Sequence, residues 1–288
     1  MTGLSSEQVT RFREDGYLLL EDAFDADVLD GLQTELTERI DRWCEQALGE
    51  GLLSDLLPDA PFDKRLALLS EQLENPGPLL AVVGGKLRTV GMFQILTHPD
   101  LLDIVESVIG PEILAHPQFN SRAKLPHQDA SVVPWHQDLG YLEADAEETF
   151  MVNFWIPLVD ATEENGCMEV ISGSHRAPLI AHAPGMGPGG NFKGVDDDQL
   201  PPGDRVMCAV RRGGVVLIQH KTIHRSVPNV SDHIRWSLDL RYSDPRQPTG
   251  RDNVPGFIAR SAEHPDEICH SVGQWQSIVA AAGAPSGT

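Results

Sequence analysis

The spacing of apolar residues divides this chain into a helical first part and a strand-rich second part. Val28, Leu32, Leu36, Ile40 and Trp43 recur at helical intervals. They predict an amphipathic helix that Asp25 can cap and that runs to about Leu48. Ahead of it, Ser5-x-x-Gln8 has the form of a capping box and Gly16 that of a stop, so a short helix is expected there, then a strand over Tyr17 to Leu20. Pro99 in a first turn, Leu101, Ile104, Val105 and Val108 on one face, and Gly110 beyond the end predict a further helix. Residues 49–80 are rich in Leu, Asp and Pro, follow no single period and are left unassigned.

Past residue 110, short apolar runs alternate with turn residues. Strands are expected at 113–120, 132–138, 150–157, 167–171, 214–219 and 234–242. Phe150 to Pro157 is nearly all apolar, as a strand covered on both faces would be. In 234–242, Ile234, Trp236, Leu238 and Leu240 alternate with Arg235, Ser237, Asp239 and Arg241. One face is therefore apolar and the other polar and charged. On a surface sheet that polar face would meet solvent; in a barrel it could line a wet lumen holding a charged ligand. Helices first and short strands afterwards indicate an α+β protein, mainly β, with a sandwich or barrel core flanked by N-terminal helices. Residues 183–204 are crowded with Gly, Pro and Asp, the composition of a lid or a disordered insert. With no internal repeat and no clear linker, residues 1–288 are expected to form a single domain.

Composition narrows the partners. The 288 residues are 41% hydrophobic, ordinary for a soluble globular chain. The net charge of −21 is not ordinary. Such a surface repels nucleic-acid phosphates and anionic membranes, so neither is expected as a partner; its ordinary role is solubility. Cys44, Cys167, Cys208 and Cys269 are far apart and form no C-x-x-C pair. That argues against a zinc–cysteine site and fits reduced thiols in the cytoplasm. The N-terminus lacks the basic and apolar regions of a signal peptide, no apolar run approaches a membrane span, and the C-terminus is not of the S-K-L type.

The candidate chemistry lies in Trp135-His136-Gln137-Asp138. His136 and Asp138 are two apart, so on a strand both side chains leave the same face. One further histidine would complete the 2-His-1-carboxylate set of non-heme Fe(II) oxygenases, which leaves three coordination positions open. A bare H-x-D is common, and the chain holds a second copy, His127-Gln128-Asp129. That copy sits between Pro126 and Ala130-Ser131 in a turn-like stretch, whereas His136 follows Val132-Val133-Pro134-Trp135. Metal ligands need rigid support, which favours the later copy. For the third ligand there are two candidates, His224 and His220, and spacing alone does not separate them.

Trp135-His-Gln-Asp138, Asn165-Gly-Cys-Met168, Ser172-Gly-Ser-His175, Gly213-Gly214 and His224-x10-Arg235 together resemble the phytanoyl-CoA dioxygenase (PhyH) family, over roughly residues 10–260. Members of that family are Fe(II)/2-oxoglutarate-dependent dioxygenases on a double-stranded β-helix, a cupin-like jelly roll. The resemblance implies a helical part over about 1–110, a jelly-roll core over about 111–245 and a C-terminal extension over about 246–288. It selects His136-Gln-Asp138 over the earlier copy and His224 over His220. His136, Asp138 and His224 would bind Fe(II), and Arg235 would clamp the distal carboxylate of 2-oxoglutarate. A guanidinium suits that task, because its planar fork matches a carboxylate bidentately. Ser226 would add a hydrogen bond, and Gln118 and Lys124 would supply polar contacts to the cosubstrate. Gln137 would point away from the metal and Trp155 would belong to the core. Asn165-Gly166 and Ser172 to His175 read as structural turns.

The implied reaction is hydroxylation of an unactivated C–H bond in a small metabolite, consuming O2 and releasing succinate and CO2. Asp138 argues against a halogenase, since related iron halogenases lack the carboxylate ligand. Arg241, Arg246, Arg251 and Arg260 could meet an anionic substrate, although pairing with the abundant carboxylates is their ordinary role. Two other readings compete. A non-catalytic metal-binding jelly roll, a sensor or scaffold, gives Arg235 no purpose. A 2-oxoglutarate-independent cupin dioxygenase or isomerase would prefer three histidines.

Overall fold

A computed structural model describes residues 3–251 and 253–283. The first helix, α1 (Ser6–Asp15), opens on the expected capping box: Ser5 Oγ accepts the Gln8 N–H at 3.2 Å, and Gln8 Oε1 accepts the Ser5 N–H at 2.9 Å. Gly16, at φ 80°, takes the left-handed conformation that ends it. Strand β1 (Tyr17–Leu20) follows. Asp25 does cap, but it caps a 3-10 turn over Ala26–Leu29, which then runs into α2 (Asp30–Gly49). Leu32, Leu36 and Ile40 form the buried stripe of α2, each contributing about 2 kcal/mol by leaving water.

The unassigned stretch holds α3 (Phe62–Glu71) and α4 (Gly77–Ala81). A further helix, α5 (Val90–Leu96), was not expected at all. From Gly91 to Leu96 every residue but Gln94 is buried, so it has no polar face to reveal a period. Helix α6 (Pro99–Ile109) ends at Gly110 as the sequence indicates.

The remaining strands are β2 (Ile113–Ala115), β3 (Asn120–Lys124), β4 (Met151–Pro157), β5 (Met168–Ile171), β6 (Ala183–Met186), β7 (Phe192–Gly194), β8 (Arg205–Cys208), β9 (Val215–Gln219), β10 (His224–Ser226), β11 (Arg235–Ser243) and β12 (Phe257–Arg260). Helix α7 (Val272–Ala281) closes the described chain. A seven-stranded sheet runs β1-β9-β4-β11-β2-β12, with β3 also pairing β11; a second sheet runs β10-β5-β8; β6 and β7 form a hairpin. Every pairing is antiparallel. The molecule is thus an α+β protein built on antiparallel sheets.

The two faces of the large sheet divide the core. Phe154, Leu217, Trp236, Leu238 and Leu240 pack in one apolar cluster with the helices. Trp155, Val216 and Ile218, pointing the other way, pack with Met168, Val170 and Cys208 of the small sheet. The polar face of β11 therefore lies on the side that looks toward the small sheet. Strand β4 is buried along its whole length, as its apolar run requires.

Two expectations fail. Residues 132–138 do not form a strand: only His136 pairs, in a single bridge to His224, and Asp138 begins a 3-10 turn over Asp138–Tyr141. Pro134 has no N–H to offer a ladder. The 113–120 run is broken as well, with β2 ending at Ala115 and β3 starting at Asn120. Residues 183–204 are ordered, holding the β6–β7 hairpin and a 3-10 turn over Asp197–Gln199. The four cysteines are buried and free. Among the described residues no helix is long and apolar enough to cross a membrane.

Candidate metal centre

The site begins with backbone. His136 N–H donates to His224 O and His224 N–H donates to His136 O, both at 3.0 Å. This reciprocal bridge sets the two imidazoles side by side, with ring centroids 4.0 Å apart. Nδ1 of His136 lies 2.9 Å from Pro134 O, and Nδ1 of His224 lies 3.0 Å from Thr222 O. A carbonyl can only accept, so each Nδ1 carries the proton and each Nε2 keeps a lone pair for a metal. Asp138 joins them through the curl of its 3-10 turn rather than along a strand, and its Oδ1 lies 3.8 Å from His136 Nε2. One ligand atom from each of the three residues falls within 4.8 Å of the others, and all three side chains are buried.

Electrostatics put His136 and Asp138 in the forms a metal needs. Burial, and then the neighbouring His224, hold His136 well below the ordinary histidine value, so its ring is neutral. Burial alone would raise Asp138. The Arg241 guanidinium, followed by the two imidazoles, outweighs that and holds its carboxyl well below the usual carboxylate range. Two imidazole nitrogens and one carboxylate oxygen fit a divalent first-row ion such as Fe(II).

Asp138 is held on both oxygens. Asn153 Nδ2 donates to Oδ2 at 2.6 Å, and Arg241 Nη2 donates to Oδ1. Arg241 Nη1 is anchored on Gln118 O at 2.9 Å. Sequence reasoning missed both partners. Each left a signal: Asn153 is the one polar side chain in the apolar strand β4, and Arg241 lies on the charged face of β11.

Beside the triad lies a cavity whose lining includes Gln118, Tyr141, Trp155, Phe192, Arg235 and Asp239. Arg235 is buried, with its guanidinium carbon 5.1 Å from the Trp155 ring centre. Its Nε donates to Gly166 O at 3.1 Å and its Nη1 to Ser237 Oγ. Burial pulls it down to about 10. Ser226 also lines the cavity; its Oγ accepts from Lys124 Nζ at 2.8 Å and from Val133 N–H at 3.0 Å, so its own hydrogen is left to donate. Lys124 is not part of the lining but sits behind Ser226, and burial, then the Arg235 charge, push it down to about 6. Gln118 faces the cavity, and its Oε1 accepts from Arg251 Nε at 3.1 Å. Arg122 and Asp239 face each other as an ion pair on the cavity wall, a feature the sequence did not single out.

Other expectations sort cleanly. The earlier H-Q-D copy is exposed, with His127 at φ 53° and Asp129 in a separate turn. His220 is buried outside the triad and accepts the Met151 N–H at 3.3 Å. Gln137 points away from the triad, taking the Ile180 N–H at 2.8 Å and giving to Lys221 O at 3.0 Å. His175 reaches Arg13 O, and Ser174 Oγ holds the Ile223 N–H, so that turn is structural. The Asn165-Gly166 turn does more than expected. Gly166, at φ 91°, leaves only 2.7 Å between an added Cβ and Val227 O, and its carbonyl orients Arg235. Trp155 likewise belongs to both core and cavity. The four C-terminal arginines do not converge on an anion. Arg246 pairs with Asp244, Arg260 with Asp103 and Glu106, and Arg241 with Asp138, while Arg251 bonds Gln118 and the Tyr141 carbonyl.

A family model described as phytanoyl-CoA dioxygenase (PhyH) matches residues 12–237. Phytanoyl-CoA dioxygenase domain-containing protein 1 of Rattus norvegicus is 30% identical over 265 residues, which is 82% of this chain and 88% of that protein. Among solved structures, the non-heme monooxygenase ThoJ in its apo form superposes with a TM-score of 0.59 at 19% identity, covering 96% of this chain and 98% of its own. EctD from S. alaskensis, solved with 2-oxoglutarate and 5-hydroxyectoine, gives 0.57 at 23% identity, covering 83% and 76%.

Proposed function

This chain belongs to the PhyH family of Fe(II)/2-oxoglutarate-dependent oxygenases, and we propose that it hydroxylates a C–H bond of a small, polar metabolite. The observation that carries this reading is the buried His136, Asp138 and His224 set, with both Nδ1 atoms held on backbone carbonyls and both Nε2 atoms free for a metal, beside a cavity that Arg235 also lines. O2 is the oxidant: with iron bound to activate it, one oxygen atom goes to 2-oxoglutarate, which leaves as succinate and CO2, and the other goes to the substrate C–H bond. The protein's own work is placement. His136, Asp138 and His224 hold the metal on one side only. Arg235 receives the far carboxylate of 2-oxoglutarate, and Ser226 donates its free hydroxyl hydrogen to it. Lys124 supports Ser226 from behind, and Gln118 lines the same cavity as a further polar contact.

The two antiparallel sheets serve as the walls of a double-stranded β-helix within a single domain, since one apolar cluster runs from Phe12 to Val279. A small, polar substrate is favoured because the wall carries the Arg122–Asp239 pair. Expelling water from a charged pair with an apolar chain is costly. Four buried free thiols suit the reducing cytoplasm. A sensor or scaffold would have no use for a buried guanidinium aimed at the cavity.

Anaerobic addition of Fe(II) and 2-oxoglutarate should give a weak visible metal-to-ligand charge-transfer band that His136→Ala removes. A folded wild-type protein with no band would refute the proposal. Arg235→Ala should weaken 2-oxoglutarate about 100-fold, from loss of charge-assisted hydrogen bonds, and leave Fe(II) affinity intact. Undiminished cosubstrate affinity would remove Arg235 from this role.

A further inference from the structure

Beyond the ligands themselves, we propose that Arg241 is a positioning residue that fixes the Asp138 carboxylate and draws off part of its charge. The inference rests on the reading of His136, Asp138 and His224 as a metal site. Arg241 reaches Asp138 from β11, braced by Gln118 O, while Asn153 reaches the opposite oxygen from β4. The carboxylate is thereby prevented from rotating. Oδ1, the oxygen nearer His136, is left one lone pair for a metal.

Arg241 and Asn153 are both buried, and each gives up hydrogen bonding to hold this pose. Among the described residues, Arg241 Nε and Asn153 Oδ1 have no hydrogen-bond partner. Unsatisfied buried polar atoms destabilise a fold, and a buried ion pair seldom adds stability over apolar packing. Two residues that accept such costs around one carboxylate are placed for the site rather than for the fold. A carboxylate shared with a guanidinium donates less to a metal, and one fixed in orientation needs no reordering when the metal arrives.

The test uses the full chain, with Co(II) as a probe of the metal site alone and Fe(II) with 2-oxoglutarate as a probe of its electronics. Arg241→Met frees the carboxylate to rotate and should weaken Co(II) about tenfold, the reordering cost outweighing the gain in donor strength. It should also move the charge-transfer band to longer wavelength, since a more strongly donating carboxylate makes the metal easier to oxidise. Arg241→Lys should recover most of both effects. Unchanged or tighter Co(II) binding in a folded Arg241→Met protein would overturn the inference, as would a band at the wild-type position. If Arg241→Met does not fold, Arg241→Lys carries the decision: a partial shift of the same sign supports the inference and none refutes it. Wild-type protein that binds Co(II) but gives no band with Fe(II) and 2-oxoglutarate would count against the proposed oxygenase activity. The Co(II) comparison would still decide the role of Arg241.

Discussion

The same tripeptide occurs twice in this chain with opposite outcomes. His127-Gln128-Asp129 lies exposed on a turn, with its histidine in a left-handed conformation. His136-Gln137-Asp138, nine residues later, is buried at every position. The difference lies in what the rest of the chain supplies. His136 receives a backbone partner from β10 and a carbonyl that fixes its tautomer. Gln137 ties down the 178–182 segment, and its own N–H is taken by His182. Asp138 is gripped by Asn153 and Arg241. Ligand identity makes a candidate; fixed tautomers and an anchored carboxylate make a site.

The sharpest way to break this comparison is to remove each aspartate in turn. Asp138→Ala should abolish iron binding and 2-oxoglutarate turnover, and it should cost about 3–5 kcal/mol by leaving Arg241 buried without its partner. Asp129→Ala should change stability by no more than about 0.5 kcal/mol, as exposed substitutions do, and leave turnover intact. Equal losses in metal titration and thermal melts would mean the two copies are not distinct. The middle residues give a smaller contrast. Gln137→Ala removes the buried amide that holds the Ile180 N–H and the Lys221 carbonyl and should cost about 1–3 kcal/mol in denaturant titrations, whereas Gln128→Ala should cost nothing measurable.

The smallest effect concerns Lys124, the last residue of β3 before the chain enters the exposed copy. Its folded-state pKa is about 6, against an ordinary lysine value of 10.5. Between those values the unfolded chain binds a proton that the folded chain refuses, so stability rises with pH across that window. Lys124→Met should flatten that slope, with its largest gain near pH 6. A slope unchanged by the substitution would show Lys124 to be charged in the fold.

Much of this was legible in the sequence, for local reasons. The capping box of α1, the stripe of α2 and the stop at Gly110 are read within a few residues. The alternation in 234–242 also showed that β11 turns a charged face somewhere; only the paired sheets place that face on the cavity. What stayed hidden depends on distance or on uniform burial. Helix α5 has no polar side to mark its period. The strand expected over 132–138 failed because the segment is held by one backbone bridge, scattered backbone bonds and the side chains of Ser226 and His182, not by a continuous ladder. The partners of Asp138 lie 15 and 103 residues away, and no spacing rule reaches that far. The arginine cluster dissolved for the same reason, since its partners are spread over α6, the 3-10 turn that begins at Asp138 and the loops.

The reciprocal bridge between His136 and His224 has a kinetic consequence. Each ligand's amide hydrogen is held by the other ligand's carbonyl, so neither ligand's backbone can move away without breaking both bonds. The pair therefore opens as one unit, and any metal bound across it adds its own binding free energy to the cost of that opening. Occupancy of the centre would then be written into the solvent-exchange rates of two backbone hydrogens, readable without a substrate and without turnover.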